Sequence, residues 1–279
     1  MLKKKIDISL FFNGLRGLNV YQFLKNTKNV NIKFIFLSKK FLNSKIPKIL
    51  KKEKVNLFYY ENINYSKILS IHKKLDLAFV CGFPYILKKK LIKKPHYGFF
   101  NCHAGKLPKY RGGSPLNWQI INNEKKFGLS VLKINTGIDS GNIFYKKDFL
   151  LKKRYDINNL HKIANKQFPI MVKKSLEKII SGQKGLKQNK MRAKYFKQRS
   201  SSDSEIKINQ ISYKQIKLMI RALKKPYPCA YFWFKNRKII INNIKKSNMN
   251  LKPGKIIKKN KFIHFGCKKE TLKTLLRIK

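Results

Sequence analysis

Residues 97–118 read YGFFNCHAGKLPKYRGGSPLNW. The stretch opens on a short apolar run. It continues into a loop with glycines at 105, 112 and 113 and prolines at 108 and 115. A short apolar run bounded by Gly and Pro predicts a buried strand. Successive strand side chains alternate faces, so Asn101 and His103 share one face if the strand reaches that far, and Cys102 points into packing. The loop that follows is longer and stiffer than a plain connector needs, and glycine permits close backbone approach to a ligand.

Toward the N-terminus, short apolar runs alternate with helical patterns. IDISLFF (6–12), IKFIFL (32–37), VNLFYY (55–60), LDLAFVCG (75–82) and YGFFN (97–101) predict strands. The stretch from Asn13-Gly14 to Lys25, and segments 42–54, 64–74 and about 86–92, predict helices. This alternation predicts an α/β fold: a Rossmann-like, mostly parallel sheet with helices on both faces. Such sheets bind ligands outside the carboxyl ends of their strands, which is where the Asn-x-His pair lies.

Toward the C-terminus, 114–123 predicts a helix, and 128–135 and 143–151 predict strands joined by a turn at 136–142. A long amphipathic helix follows at about 156–181, then a polar stretch at 183–210 with RSSSDSE at 199–205. A helix at 212–224 precedes short strands at 229–234, 237–244, 255–258, 261–266 and 271–278, the pattern of a small β-barrel. The expected organisation is a catalytic domain at 1–182, a linker at 183–210 and a barrel domain at 211–279.

Hydrophobic residues make up 43% of the 279, enough to fill a core, so the chain is not disordered as a whole. The net charge of +54 points first to a polyanionic partner. Only eight of the 66 basic residues are Arg, however, and Arg is the side chain that forks onto phosphates and guanines. Dispersed Lys beside abundant Ile and Asn is the bias of a low-GC genome. Four widely spaced cysteines, with no C-x-x-C, argue against a zinc knuckle or redox pair and for a reducing, cytoplasmic compartment. The N-terminal MLKKKIDISLFFNGL is basic then apolar, but Asp7, Ser9 and Asn13 interrupt it, and no run reaches a membrane span.

An amide beside an imidazole suits acyl chemistry: Asn101 can hold an oxyanion while His103 shuttles a proton. A hydrogen-bonded loop histidine with a turn asparagine is the other reading. Asp139, one of only twelve acids, lies in NTGIDSGN (135–142) between two apolar strands. A carboxylate there can orient His103, accept a proton, or simply shape the turn. His72, His96, His161 and His264 have no acidic or Cys neighbours at ligand spacing. Ser114 lacks a G-x-S-x-G context, and no P-loop or G-x-G-x-x-G occurs.

Asn101-x-His103, Leu107-Pro108-x-x-Arg111-Gly112 and Asp139-Ser140-Gly141, the last 36 residues after His103, together resemble the 10-formyltetrahydrofolate-dependent formyltransferases, the methionyl-tRNA formyltransferase and sugar N-formyltransferase group. AFVCGFPYIL (78–87) is similar to the family's pterin-pocket strand and loop. IRALKKPYPCAYFWFKNRKIII (220–241) and PGKII (253–257) resemble its C-terminal, OB-like small barrel. The resemblance implies transfer of a formyl group from 10-formyltetrahydrofolate to a primary amine, without a metal. It assigns catalysis to Asn101, His103 and Asp139, the folate pocket to Cys81, Gly82, Phe83, Tyr85, Leu107 and Ile138, and an acceptor loop to Lys109, Tyr110, Arg111, Gly112, Gly113 and Ser114.

Two acceptors are compatible with the family. The family's methionyl-tRNA members carry a basic insertion after the second strand and Gly-Ala-Ala-Pro after the Arg. This chain has SKKFLNSKIPK (38–48) and Gly113-Ser114-Pro115-Leu116-Asn117-Trp118 instead, which look more like the sugar N-formyltransferases. The expected acceptor is therefore a nucleotide-linked amino sugar. Initiator Met-tRNA is the alternative that the barrel and the charge favour, and a non-catalytic RNA-binding protein on the same scaffold is the third.

Overall fold

A computed structural model describes residues 5–276. In chain order the elements are β1 (Ile6–Phe12), α1 (Gly14–Lys25), β2 (Val30–Leu37), α2 (Lys45–Lys52), β3 (Leu57–Tyr59), α3 (Tyr65–Lys73), β4 (Leu77–Cys81), α4 (Lys89–Ile92) and β5 (Gly98–His103). There follow β6 (Arg111–Gly112), α5 (Pro115–Ile121), β7 (Lys126–Lys133), β8 (Ile143–Leu150), α6 (Ile157–Ile180), β9 (Tyr195–Phe196) and α7 (Tyr213–Ala222). The chain ends in β10 (Tyr231–Phe234), β11 (Arg237–Ile240), β12 (Lys245–Lys246), β13 (Ile256–Lys259), β14 (Phe262–Gly266) and β15 (Thr271–Leu275). The strand expected at 271–278 ends at Leu275, and its positions 277 and 278 lie outside the described residues.

Two compact units result. One holds the described residues up to Gly112 together with Gly128–Phe149 and Lys162–Tyr195; the other holds Gly113–Phe127, Leu150–His161 and the chain from Phe196 onward.

The first unit is built on a seven-stranded sheet in the order β3-β2-β1-β4-β5-β7-β8. The first five strands run parallel, and β7 joins β5 antiparallel with Asn101 opposite Leu132 and His103 opposite Ser130. The expected mostly parallel sheet is present, with helices on both faces. Alternation along β1 divides Phe12 from Phe11. On the Phe12 face, α1 lies so close that a Cβ at Gly17 would fall 2.1 Å from that of Phe12, so only glycine fits there. On the Phe11 face, Ile68 of α3 and Leu91 and Ile92 of α4 join a core with Phe36, Ala78, Val80 and Phe99.

His72 of α3 is fully buried in this second layer. Its Nδ1 donates to the Ile68 carbonyl (2.7 Å), and its Nε2 accepts from the Ser9 hydroxyl (2.9 Å). Burial pushes its pKa down to about 4, so it is a neutral packing residue at physiological pH.

The second unit contains α5 packed on α7, with Asn117 Nδ2 donating to the Ala222 carbonyl at 2.7 Å. A capping box between Ser212 and Gln215 starts α7. The strand-rich C-terminal domain expected from the sequence is present as a β10–β11 hairpin and an antiparallel sheet in the order β12-β15-β14-β13, packed around Phe232, Ile263, Phe265 and Leu272. The polar stretch 183–210 is ordered in each unit: Gln188 is buried in the first, and Ser204, Ile206 and Ile208 are buried in the second. No helix among the described residues is long and apolar enough to cross a membrane.

Candidate active site

Strand β5 ends in Asn101, Cys102 and His103. Alternation sends Cys102 into the interior, where its Sγ lies 3.3 Å from that of Cys81 on β4. Burial, with the Cys81 neighbour, pushes the Cys102 thiol well up, which makes it an inert packing group. Asn101 and His103 share the opposite face, and the turn between β7 and β8 brings Asp139 onto them.

Asp139 is the hub. Its Oδ1 accepts from Asn101 Nδ2 (3.1 Å), and its Oδ2 accepts from the Gly112 N–H (2.9 Å) and faces His103 Nδ1 at 3.3 Å. His103 is 6% exposed, and its Nε2 lies 2.6 Å from the Tyr110 carbonyl. Both ring nitrogens thus face oxygen acceptors, an arrangement that an imidazolium satisfies on both sides and a neutral ring on one. Gly105 makes this closure possible, because a Cβ there would lie 2.3 Å from His103 Nε2 and 2.4 Å from the Tyr110 carbonyl.

A cavity of about 390 Å³ opens beside the hub. Asn101 and Asp139 line it, while His103 stands behind Asp139. Its walls include Phe83, Tyr85, Leu132 and the backbone turn from Ile134 to Ser140, with the exposed side chains Ile86 (89%) and Ile138 (57%) at its edge. Glu61 receives the Tyr85 hydroxyl, the Ser38 hydroxyl and the Lys39 N–H. Burial raises the Glu61 pKa, but the bonds from Tyr85 and Ser38 outweigh it, so the net shift is downward.

Of the six residues expected around the folate, Phe83, Tyr85 and Ile138 line this cavity. Cys81 is buried against Cys102, Gly82 takes φ +70 at the end of β4, and Leu107 packs with Leu132 and Ile143. Ile86, in the 78–87 stretch that resembles the pterin pocket, also lines it, whereas Leu132 and Ile134 carry no sequence signal, because an apolar strand residue can equally be cavity wall or core.

The loop expected to meet the acceptor is held along its length. In the first unit, Lys109 lies over the Tyr110 ring at 5.5 Å, and Tyr110 is fully buried. Arg111 is 4% exposed and bonds Gln188 and Tyr195. In the second unit, the Gly113 N–H donates to the Phe196 carbonyl (2.8 Å), and Ser114 Oγ accepts from the Arg199 N–H (3.1 Å). Arg199 lies over the Trp118 ring at 4.9 Å. Gln188 and Tyr195 went unmarked in the sequence because they lie in a polar stretch without a motif. Among the described residues, no group of three or more His, Cys, Asp or Glu is placed to hold a metal.

Residues 39–174 match the Formyl transferase family model, and residues 199–278 match that of the Formyl transferase, C-terminal domain. The chain is 34% identical over 214 residues to the methionyl-tRNA formyltransferase of a Sulfurihydrogenibium species, 68% of whose length it covers. The chain belongs to the formyl transferase family. Another relative is the bifunctional polymyxin resistance protein ArnA of Wigglesworthia glossinidia brevipalpis, 34% identical over 273 residues; the match takes in 94% of this chain but 39% of that protein. The chain also spans only 65% of the length of other methionyl-tRNA formyltransferases that it matches. Among solved structures, the N-formyltransferase from Helicobacter canadensis in complex with folinic acid and dTDP-3-aminofucose superposes with a TM-score of 0.72 at 21% identity, over 98% of this chain and 100% of that one. At that identity the likeness establishes a shared formyl transferase fold.

Proposed function

We propose that this chain transfers a formyl group from 10-formyltetrahydrofolate to the primary amine of a nucleotide-linked amino sugar. The observation that carries formyl transfer is the convergence of Asn101, His103 and Asp139 in one polar hub, two of whose members, Asn101 and Asp139, line a cavity. That cavity suits a flat pterin. Ile86, Ile138 and Phe83 supply apolar walls, and the turn at 134–140 lines the remaining side.

The folate, when bound, supplies the formyl carbon. Asn101 keeps one amide N–H on Asp139 and has a second without a partner among the described residues, which would hold the oxyanion formed at that carbon. The His103–Asp139 pair would take the proton released by the attacking amine and return it to the folate nitrogen, whose bond to the formyl carbon breaks as the new amide forms and tetrahydrofolate leaves. A carboxylate accepts about four hydrogen bonds, and three partners already face Asp139, so one position remains for that nitrogen. While His103 Nε2 is engaged by Tyr110, the pair reaches the cavity through Asp139.

An amino-sugar acceptor is supported by Gly113–Trp118 standing where methionyl-tRNA enzymes have Gly-Ala-Ala-Pro, by the short segment after β2, and by the aminofucose named with the Helicobacter canadensis structure. Initiator Met-tRNA is the second reading, favoured by the sequence relatives and the positive charge. The domain boundaries proposed from the sequence, with catalysis in 1–182, and a cytoplasmic location go with either acceptor. The deciding assay measures tetrahydrofolate released from 10-formyltetrahydrofolate, with a panel of nucleotide-linked amino sugars run beside charged initiator tRNA. Turnover with a sugar and none with tRNA is expected; the reverse would overturn the acceptor. In the same assay His103→Ala should lose about 10²- to 10⁴-fold in turnover, and full activity with the fold retained would overturn the site.

A further inference from the structure

Gln188 lies in the polar stretch 183–210, yet it is 8% exposed. Its side chain makes four hydrogen bonds. Oε1 accepts from Arg111 Nε (3.1 Å) and Nη2 (2.8 Å), and Nε2 donates to the carbonyls of Asp139 (2.8 Å) and Gly141 (2.8 Å). A primary amide has two donor hydrogens and two acceptor lone pairs, so every one is used.

The two structures that Gln188 joins are the two sides of the Asp139 contact. Arg111 precedes Gly112, whose N–H donates to Asp139 Oδ2. The carbonyls of Asp139 and Gly141 belong to the turn that carries the carboxylate. Asp139 takes φ +45, a left-handed conformation that a non-glycine residue keeps only when its surroundings hold it there. Arg111 is buried with no carboxylate partner among the described residues. Its charge rests on Gln188 Oε1, the Tyr195 hydroxyl (2.7 Å) and the Tyr195 ring (5.4 Å).

We infer that Gln188 is a positioning residue that fixes the Asp139 turn to the Arg111 loop and so sets the carboxylate between Asn101 and His103. The inference rests on the formyl transfer proposed above. Glutamate at this position separates the two halves of the contact. A carboxylate still receives the Arg111 guanidinium but has no N–H to give the two carbonyls.

The test compares wild type with Gln188→Glu in steady-state turnover, in the pH profile of kcat, and in the ¹⁵N resonances of the His103 ring. Turnover should fall about 10- to 100-fold, the scale of a roughly 1 Å misplacement. KM for the folate should stay within about threefold, because the cavity walls are untouched. The pH profile and the His103 resonances should both shift, which the loss of a merely structural contact would not produce. Unchanged turnover and unmoved resonances in a folded Gln188→Glu protein would overturn the inference. Should that variant not fold, Gln188→Met, of similar length and without hydrogen bonds, is judged by the same two outcomes. A wild type inactive on both acceptor classes would remove the proposed reaction, while the His103 resonances would still decide whether Gln188 holds the turn.

Discussion

Asp139 shares its two oxygens among Asn101, Gly112 and His103, so substitutions at this hub separate charge from shape. Asp139→Asn keeps the size and removes the charge that faces His103. It should lower kcat by about 10²- to 10⁴-fold while the affinity for tetrahydrofolate, followed by fluorescence quenching, changes less than threefold or so, since the apolar walls remain. Asn101→Ala removes the proposed oxyanion donor and should cost about 10²- to 10³-fold in kcat. It should keep the pH profile of the parent, whereas Asp139→Asn should not; identical profiles for the two would contradict the division of roles. The i, i+2 spacing on a strand end was enough to place Asn101 and His103 together. The direction of His103 was not legible: its Nε2 turns to a carbonyl seven residues on, and only the folded loop sets that contact.

Two elements hold this site in place, and each can be tested apart from the chemistry. In α3, His72 is buried neutral with a pKa near 4, whereas the unfolded chain has the ordinary value near 6.5. Between those values the unfolded state binds a proton that the folded state refuses. The contribution of His72 is therefore full above about pH 6.5 and is lost as pH falls toward 4, by about 3 kcal/mol in all. Urea unfolding at pH 7 and pH 4.5 should show this loss, and His72→Gln should flatten the slope; an undiminished slope would assign the loss to other groups. In the loop after β5, Gly105→Ala would drive a methyl into His103 Nε2 and the Tyr110 carbonyl. Turnover should fall by at least about tenfold with little loss of helical circular dichroism, because the sheet does not depend on that loop. The strands and helices themselves were legible from apolar periodicity, and most ends shift by only a few residues. Segment 183–210 was the exception: its polar composition predicts a linker, yet Gln188 is buried in contacts that are remote in sequence.

Across the whole molecule the net charge is +54, carried mostly by dispersed lysines. If that charge is compositional, binding to RNA or heparin should be weak and should vanish near about 150 mM salt, with no effect on formyl transfer to a sugar. Submicromolar binding of tRNA at that salt, measured by filter retention, would return the acceptor to tRNA. The sequence by itself determined the α/β architecture, the strand-rich C-terminal domain and the three polar residues of the hub, because periodicity, turn residues and motif spacing are local properties. Only the tertiary structure decided that Asp139 meets Asn101 and His103, that His103 stands behind the carboxylate, and that Gln188 joins the two loops. Those facts depend on hydrogen bonds between residues 38, 36 and 49 positions apart, and the direction of a polar side chain across such a distance is set by the packing of the intervening elements.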